Sequence, residues 1–175
     1  MYIAERCSIE AQAYGGNNFA EVKYGFLKLN GEAVWQSSWV GLYPNYRGAN
    51  TFVVDTTNCT LVETKTYDTY GDATAAARLR GYIQCLSNRS ILVGISIDES
   101  SFYLDKAEAT LTELGADVSD VEFRGAWVFL AEIGGDPSKT LLDKELTEPS
   151  AMERQPIITT SLEGTLCDLS QKQLV

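Results

Sequence analysis

Histidine is absent from the 175-residue chain. Its absence removes the usual general base at neutral pH and the commonest metal ligand together, and with them any Ser-His-Asp or Cys-His mechanism. Cationic side chains are few, 14 against 24 acidic ones, so the formal charge is -10, and no basic run occurs. A phosphate backbone needs clustered Lys and Arg, so nucleic acid is not an expected partner. Long hydrophobic runs are missing as well. The longest are strand-sized, far below the roughly 20 residues of a membrane-spanning helix, and no membrane insertion is expected. The stretch Met1-Tyr2-Ile3-Ala4-Glu5-Arg6-Cys7 carries neither the basic segment nor the apolar core of a secretion signal. Cys7, Cys59, Cys85 and Cys167 form no C-x-x-C pair, which argues against structural zinc, and no metal or cofactor is expected. Two disulfides would suit an oxidising compartment and four free thiols a reducing one.

What is present is a chain with 45% apolar residues, enough for one sizeable core, and residues 1–175 read as a single domain without internal repeats. Its organising stretch is Ser90 to Gly135. Ile91 to Ile97 is a β-branched run that reads as a buried strand, ending in the acidic turn Asp98-Glu99-Ser100. Ala107, Leu111 and Leu114 recur at helical spacing and predict a helix from Asp105 to Leu114, with Gly115 as the left-handed residue that ends it. Phe123-Arg124-Gly125-Ala126-Trp127-Val128-Phe129 reads as a second strand, with Trp127 and Phe129 facing one layer and Val128 the other. If the two strands are near neighbours, Asp98 at the exit of one and Arg124 at the start of the other face each other.

Before that stretch, Cys7 to Tyr14 and Ala20 to Leu29 alternate apolar and polar residues, and Asn30-Gly31 is a strong hairpin signal, so the chain begins as a β-meander. Trp35, Trp39, Tyr43 and Tyr46 follow in a loop punctuated by Gly41, Pro44 and Gly48. Ala49 to Asp55 and Leu61 to Tyr67 read as an antiparallel hairpin, and Asp72 as the N-cap of a helix through Cys85. Beyond Gly135, Asp136-Pro137-Ser138 predicts a third helix to about Leu146, and Pro156 to Leu162 an edge strand. Asn58-Cys59-Thr60 and Asn88-Arg89-Ser90 fit the N-glycosylation pattern.

Several of these segments resemble a known family. Arg47-Gly48-Ala49-Asn50, Phe52-Val53-Val54-Asp55 and Tyr67-Asp68-Thr69-Tyr70 resemble the R-G-x-N, V-V-x-D and F-D-T-Y motifs of the interleukin-like EMT inducer (ILEI/PANDER-type) domain. Ile91 to Asp98, Leu114-Gly115 and Phe123 to Phe129 resemble its later motifs in the same order, so the resemblance spans 47–135, flanked by a meander and aromatic loop at 1–46 and a helix and strand at 136–175. It implies an α+β fold: a β-sandwich of two curved, mostly antiparallel sheets with about three flanking helices. The cysteine-bearing ends resemble those of secreted cytokine-like members, which implies a Cys7–Cys167 bridge and, from the remaining pair, Cys59–Cys85.

The family is mostly non-catalytic, and its members include cytokine-like proteins and the sugar-binding stem domain of a glycosyltransferase. In that stem domain an acidic residue of a D-E-G-S-F turn and the arginine of W-R-D-x-W contact carbohydrate; the matching positions here are Asp98 and Arg124. This chain has Arg124-Gly125-Ala126-Trp127 and so lacks the second aspartate. The expectation is a non-enzymatic recognition module, extracellular or displayed on a virion, binding a glycan or protein ligand. Asp98 and Arg124 would bind the ligand, with Phe102, Tyr103, Trp39 or Tyr43 supplying the apolar face. The alternatives are an assembly protein of a phage or virus particle, with self-association, and a cytokine-like secreted protein. A simple ion pair tying two strands together would also account for Asp98 and Arg124.

Overall fold

The computed structural model describes residues 7–16, 24–40, 43–145 and 157–162. The alternating stretch at the start forms β1 (Cys7–Gln12), followed by the two-residue β2 (Tyr14–Gly15). Asn30 and Gly31, at φ 50° and 81°, turn β3 (Phe26–Leu29) into β4 (Glu32–Gln36), the geometry an Asn-Gly hairpin requires. A short ribbon, β5 (Trp39–Val40) with β6 (Tyr43–Pro44), leads into the hairpin β7 (Gly48–Asp55) and β8 (Thr60–Tyr67). Then come α1 (Ala75–Cys85), β9 (Ile91–Asp98), α2 (Asp105–Glu113), β10 (Ala126–Glu132), β11 (Leu141–Glu145) and β12 (Ile157–Leu162). No helix among the described residues is long and apolar enough to cross a membrane.

These elements stack in layers. One sheet has the order β12-β1-β3-β4, and the central sheet the order β11-β10-β9-β7-β8, with β2 lying parallel against the end of β9. The other pairings reported for these two sheets are antiparallel. One core, containing Ile9, Leu27, Phe52 and Ile95, fills the space between the sheets, and the other, containing Leu79, Leu111, Trp127 and Phe129, lies between the central sheet and the two helices. Burial on both faces explains why β9 reads as an unbroken apolar run instead of alternating. Along β10, Trp127 and Phe129 face the helices while Val128 faces the first sheet, as the two-layer reading requires. Phe129 pairs with Gly94, and its ring fills the space where a Cβ at Gly94 would sit. Trp127 is fully buried, so its ring belongs to the core and is not a stacking surface.

The fold is therefore an α+β sandwich-like arrangement, with two corrections. The predicted third helix is a 3-10 turn at Pro137–Lys139 followed by strand β11, leaving two α-helices among the described residues. The Asp136-Pro137-Ser138 start pattern opens only that turn; the open edge of β10 recruits residues 141–145 as a strand, a case of tertiary pairing overriding local pattern. The second correction concerns the cysteines. The first strand does lie beside the last one, Cys7 opposite Leu162, but Cys7 is bonded to Cys59 and not to Cys167. The reason is the face Cys7 occupies: with Ile9 and Ala11 it points into the core between the sheets, toward the β7–β8 turn that carries Cys59. The Cys59–Cys85 bridge is excluded by the same bond, and Cys85 is a free, exposed thiol at the end of α1. Cys167 lies outside the described residues.

Candidate functional site

The antiparallel pairing of β9 with β7 and β10 brings the exit of β9 and the starts of β7 and β10 to one end of the central sheet. Asp98 closes β9 at φ 62°, and Arg124 precedes β10 at the same φ, both in the left-handed region that costs a non-glycine residue about 1 kcal/mol. One buried carboxylate holds both turns. Glu99, 1% exposed, accepts from Ser101 N (2.6 Å), Ser101 Oγ (2.7 Å) and Phe102 N (3.1 Å) through Oε1, and from Arg124 N through Oε2. Four donors satisfy a charge that burial would otherwise penalise heavily.

Between Asp98 and Arg124 runs the backbone of Gly16, whose N–H donates to Asp98 O at 2.7 Å. A Cβ at Gly16 would overlap the Asp98 carboxylate and lie 2.9 Å from Arg124 Cδ, so both side chains pack on the bare glycine. Among the described residues no hydrogen bond or ion pair reaches the Asp98 carboxylate, and the Arg124 guanidinium, itself exposed, has no carboxylate within ion-pairing distance. Burial raises the pKa of Asp98 above the ordinary carboxylate value, opposed by the fields of Arg124 and Arg47 and reinforced by that of Asp68. The two residues therefore sit together without pairing, and the simple ion pair is not what the structure contains.

Beside them is a cluster of rings. Tyr70, Phe102 and Phe123 are 38%, 56% and 50% exposed, with centroids 5.6 Å apart for Tyr70–Phe102 and 6.3 Å for Tyr70–Phe123. Tyr103 meets Phe102 edge-on at 4.6 Å. The Arg124 guanidinium lies 5.5 Å from the Phe123 ring and that of Arg47 lies 4.7 Å from Tyr70. The loops bearing Tyr70 and Phe102 are tied through buried Thr69, which donates from Oγ1 to Ser100 O and accepts from Tyr103 N, each at 2.8 Å. Beyond Tyr70 an open groove of about 610 Å³ is lined by Pro44, Tyr46, Arg47, Thr66 and Asp68. In its wall Arg47 grips Asp68 with a two-pronged pair, Nε to Oδ1 at 3.0 Å and Nη2 to Oδ2 at 2.7 Å. Burial alone would raise the Asp68 carboxyl; the Arg47 bonds and the Gly71 N–H outweigh it and hold the pKa below its ordinary value.

Of the residues predicted from sequence, Asp98, Arg124, Phe102 and Tyr103 come together at this end of the sheet. Trp39 and Tyr43 pair through their strands with Pro44 and Val40, and Pro44 lines the groove, but the side chains of Trp39 and Tyr43 lie outside what the structure describes. Gly16, Glu99, Tyr70 and Phe123 were missed. A usable signal existed for three of them: Tyr70 closes and Phe123 opens a motif already singled out for the family, and Glu99 follows Asp98 in the turn matched to D-E-G-S-F. Among the described residues no group of three or more His, Cys, Asp or Glu side chains is placed to hold a metal ion.

No curated protein matches the chain. The family model for the interleukin-like EMT inducer matches residues 47–135, just over half of the sequence, covering both α-helices, β7 to β10 and every site residue named above except Gly16, Tyr46 and those on the β5–β6 ribbon. On that match the chain belongs to the interleukin-like EMT inducer (ILEI) family.

Proposed function

We propose that this end of the central sheet is a carbohydrate-binding surface and that the protein is a non-catalytic, extracellular recognition module. The observation that carries the reading is the half-buried Asp98 carboxylate, which has no hydrogen-bond partner among the described residues and lies beside the exposed Arg124 guanidinium and three exposed rings. A carboxylate in that position keeps acceptor capacity that a ligand hydroxyl can use. A sugar suits the arrangement because each hydroxyl donates and accepts, so neighbouring hydroxyls satisfy Asp98 and Arg124 while the C–H face of the ring packs on Phe102 or Phe123. A protein ligand is the second reading, favoured by the cytokine-like character that the family name carries.

A glycan array separates the two. Wild-type protein is expected to retain a defined set of glycans, and Arg124→Ala to lose them by tenfold or more, since hydrogen bonds to a charged group contribute about 1.5–3 kcal/mol. The melting temperature should be nearly unchanged, because Arg124 is exposed and its backbone N–H, which Glu99 holds, survives the substitution. An array with no hits rejects the carbohydrate reading and leaves the protein ligand.

A further inference from the structure

We infer that the groove lined by Pro44, Tyr46, Arg47, Thr66 and Asp68 is a second saccharide subsite continuous with the Asp98–Arg124 surface, so that the ligand is an oligosaccharide chain and not a single terminal sugar. The inference rests on the carbohydrate reading above and deepens it.

Continuity comes first. Arg47 forms the groove wall on one side and lies over the Tyr70 ring on the other, and Tyr70 contacts both Phe102 and Phe123. The electrostatics agree: Arg47 and Asp68 both act on the proton equilibrium of Asp98, so the two charged centres lie within each other's field.

The groove is also built, not incidental. Asn50, wholly buried in β7, donates from Nδ2 to Tyr46 O at 2.8 Å and accepts from Thr66 Oγ1 at 2.8 Å, joining two of the groove's residues from beneath. Tyr46 stands at φ 59°, 42% exposed, with its ring 5.4 Å from Trp35, which in turn meets the core ring of Phe52 at 4.8 Å. An aromatic platform backed by two further rings loses little freedom when a pyranose stacks on it. The polar lining matches a sugar as well: Arg47 spends Nε and Nη2 on Asp68 and, among the described residues, keeps N–H donors to spare, while Thr66 and Asp68 retain acceptor capacity there. The volume, about 610 Å³, falls within the range of small-ligand pockets.

The test is an amide chemical-shift titration of the full chain with cello-, chito-, xylo-, malto-, manno- and galacto-oligosaccharides, each from mono- to tetrasaccharide. For any series that shifts the amides of Asp98 and Arg124, the trisaccharide is expected to bind about tenfold more tightly than the monosaccharide and to shift Tyr46 and Thr66 too, each stacked ring being worth about 1 kcal/mol or more. Tyr46→Asn, which tolerates the left-handed backbone, should bring the trisaccharide down to the affinity of the monosaccharide without altering the latter. Arg47→Lys, which keeps the charge but loses the planar fork, should do the same. A trisaccharide no tighter than its monosaccharide, with shifts confined to Asp98 and Arg124, overturns the second subsite and leaves the first standing. No shift at Asp98 or Arg124 in any series overturns both.

Discussion

The two ends of the central sheet are built on opposite principles. At one end the β7–β8 turn carries Cys59, bonded across the layers to Cys7, so two sheets are covalently joined. At the other, the chain is held by noncovalent means: a buried Glu99 accepting four hydrogen bonds, a glycine wedged between two charged side chains, and rings left in solvent. The left-handed backbone at Asp98 and Arg124 and the partly buried Asp98 carboxylate are tolerable here because the rest of the sheet over-determines their position. Covalent joining and exposed polar and aromatic side chains are thereby divided along the strand axis.

The largest effect expected from testing that division is at the joined end. Replacing both Cys7 and Cys59 by Ser releases a constraint across 52 residues and should cost about 4 kcal/mol in the chain-entropy model, read by denaturant unfolding. Binding at the far end should persist wherever the double variant is folded. Identical unfolding midpoints with and without reductant would show that the bond contributes nothing to the difference between the ends.

A smaller effect is expected at Gly16. Gly16→Ala places a methyl against the Asp98 carboxylate and the Arg124 stem, two side chains that can swing aside, so the stability loss should be about 1 kcal/mol while glycan retention falls as far as it does in Arg124→Ala. Retention equal to wild type would mean that the two charged groups need not be held across the glycine.

The smallest effect on stability, and the most diagnostic, belongs to Asp98. Its folded pKa is raised by burial, so the folded state holds the proton more tightly than the unfolded one, and the penalty of ionisation is absent below the unfolded pKa and fully present above the folded one. Asp98→Asn, which suits a left-handed residue, should therefore raise the melting temperature at neutral pH, and the gain should vanish in acid below the ordinary carboxylate range. Sugar binding should show the opposite sense and weaken as pH falls through the raised pKa, since the protonated acid is a poorer acceptor. A gain that does not change with pH would trace the stabilisation to packing instead of charge.

Much of this was legible from the sequence where local pattern and strand direction suffice. The meeting of Asp98 with Arg124 follows from two antiparallel neighbours, one ending and the other beginning at the same edge, and the hairpin at Asn30-Gly31 from backbone chemistry. Gly16 was illegible because it reaches the site through a two-residue strand that pairs parallel with β9, a contact with no periodic signature. Glu99 looked like one more acid in a polar turn; only the fold shows four donors converging on it. The partner of Cys7 depended on which face of β1 it occupies, and the helix-start pattern at Asp136-Pro137-Ser138 opens a single 3-10 turn before a strand that pairing with β10 creates.

The pairing of β1 with β12 sets how the molecule can be presented. Cys7 lies opposite Leu162, so the described chain comes in and goes out side by side, at the disulfide end, while β1 runs from there toward the rings and charges at the other. Exposed Asn58 and Asn88, the two glycosylation-pattern residues, belong to that same rear end, in the β7–β8 turn and just before β9. Copies tethered at that rear end would present the end that carries Asp98, Arg124 and the rings away from a common support. Weak single contacts could then add up across an array, because no copy needs to turn round to engage.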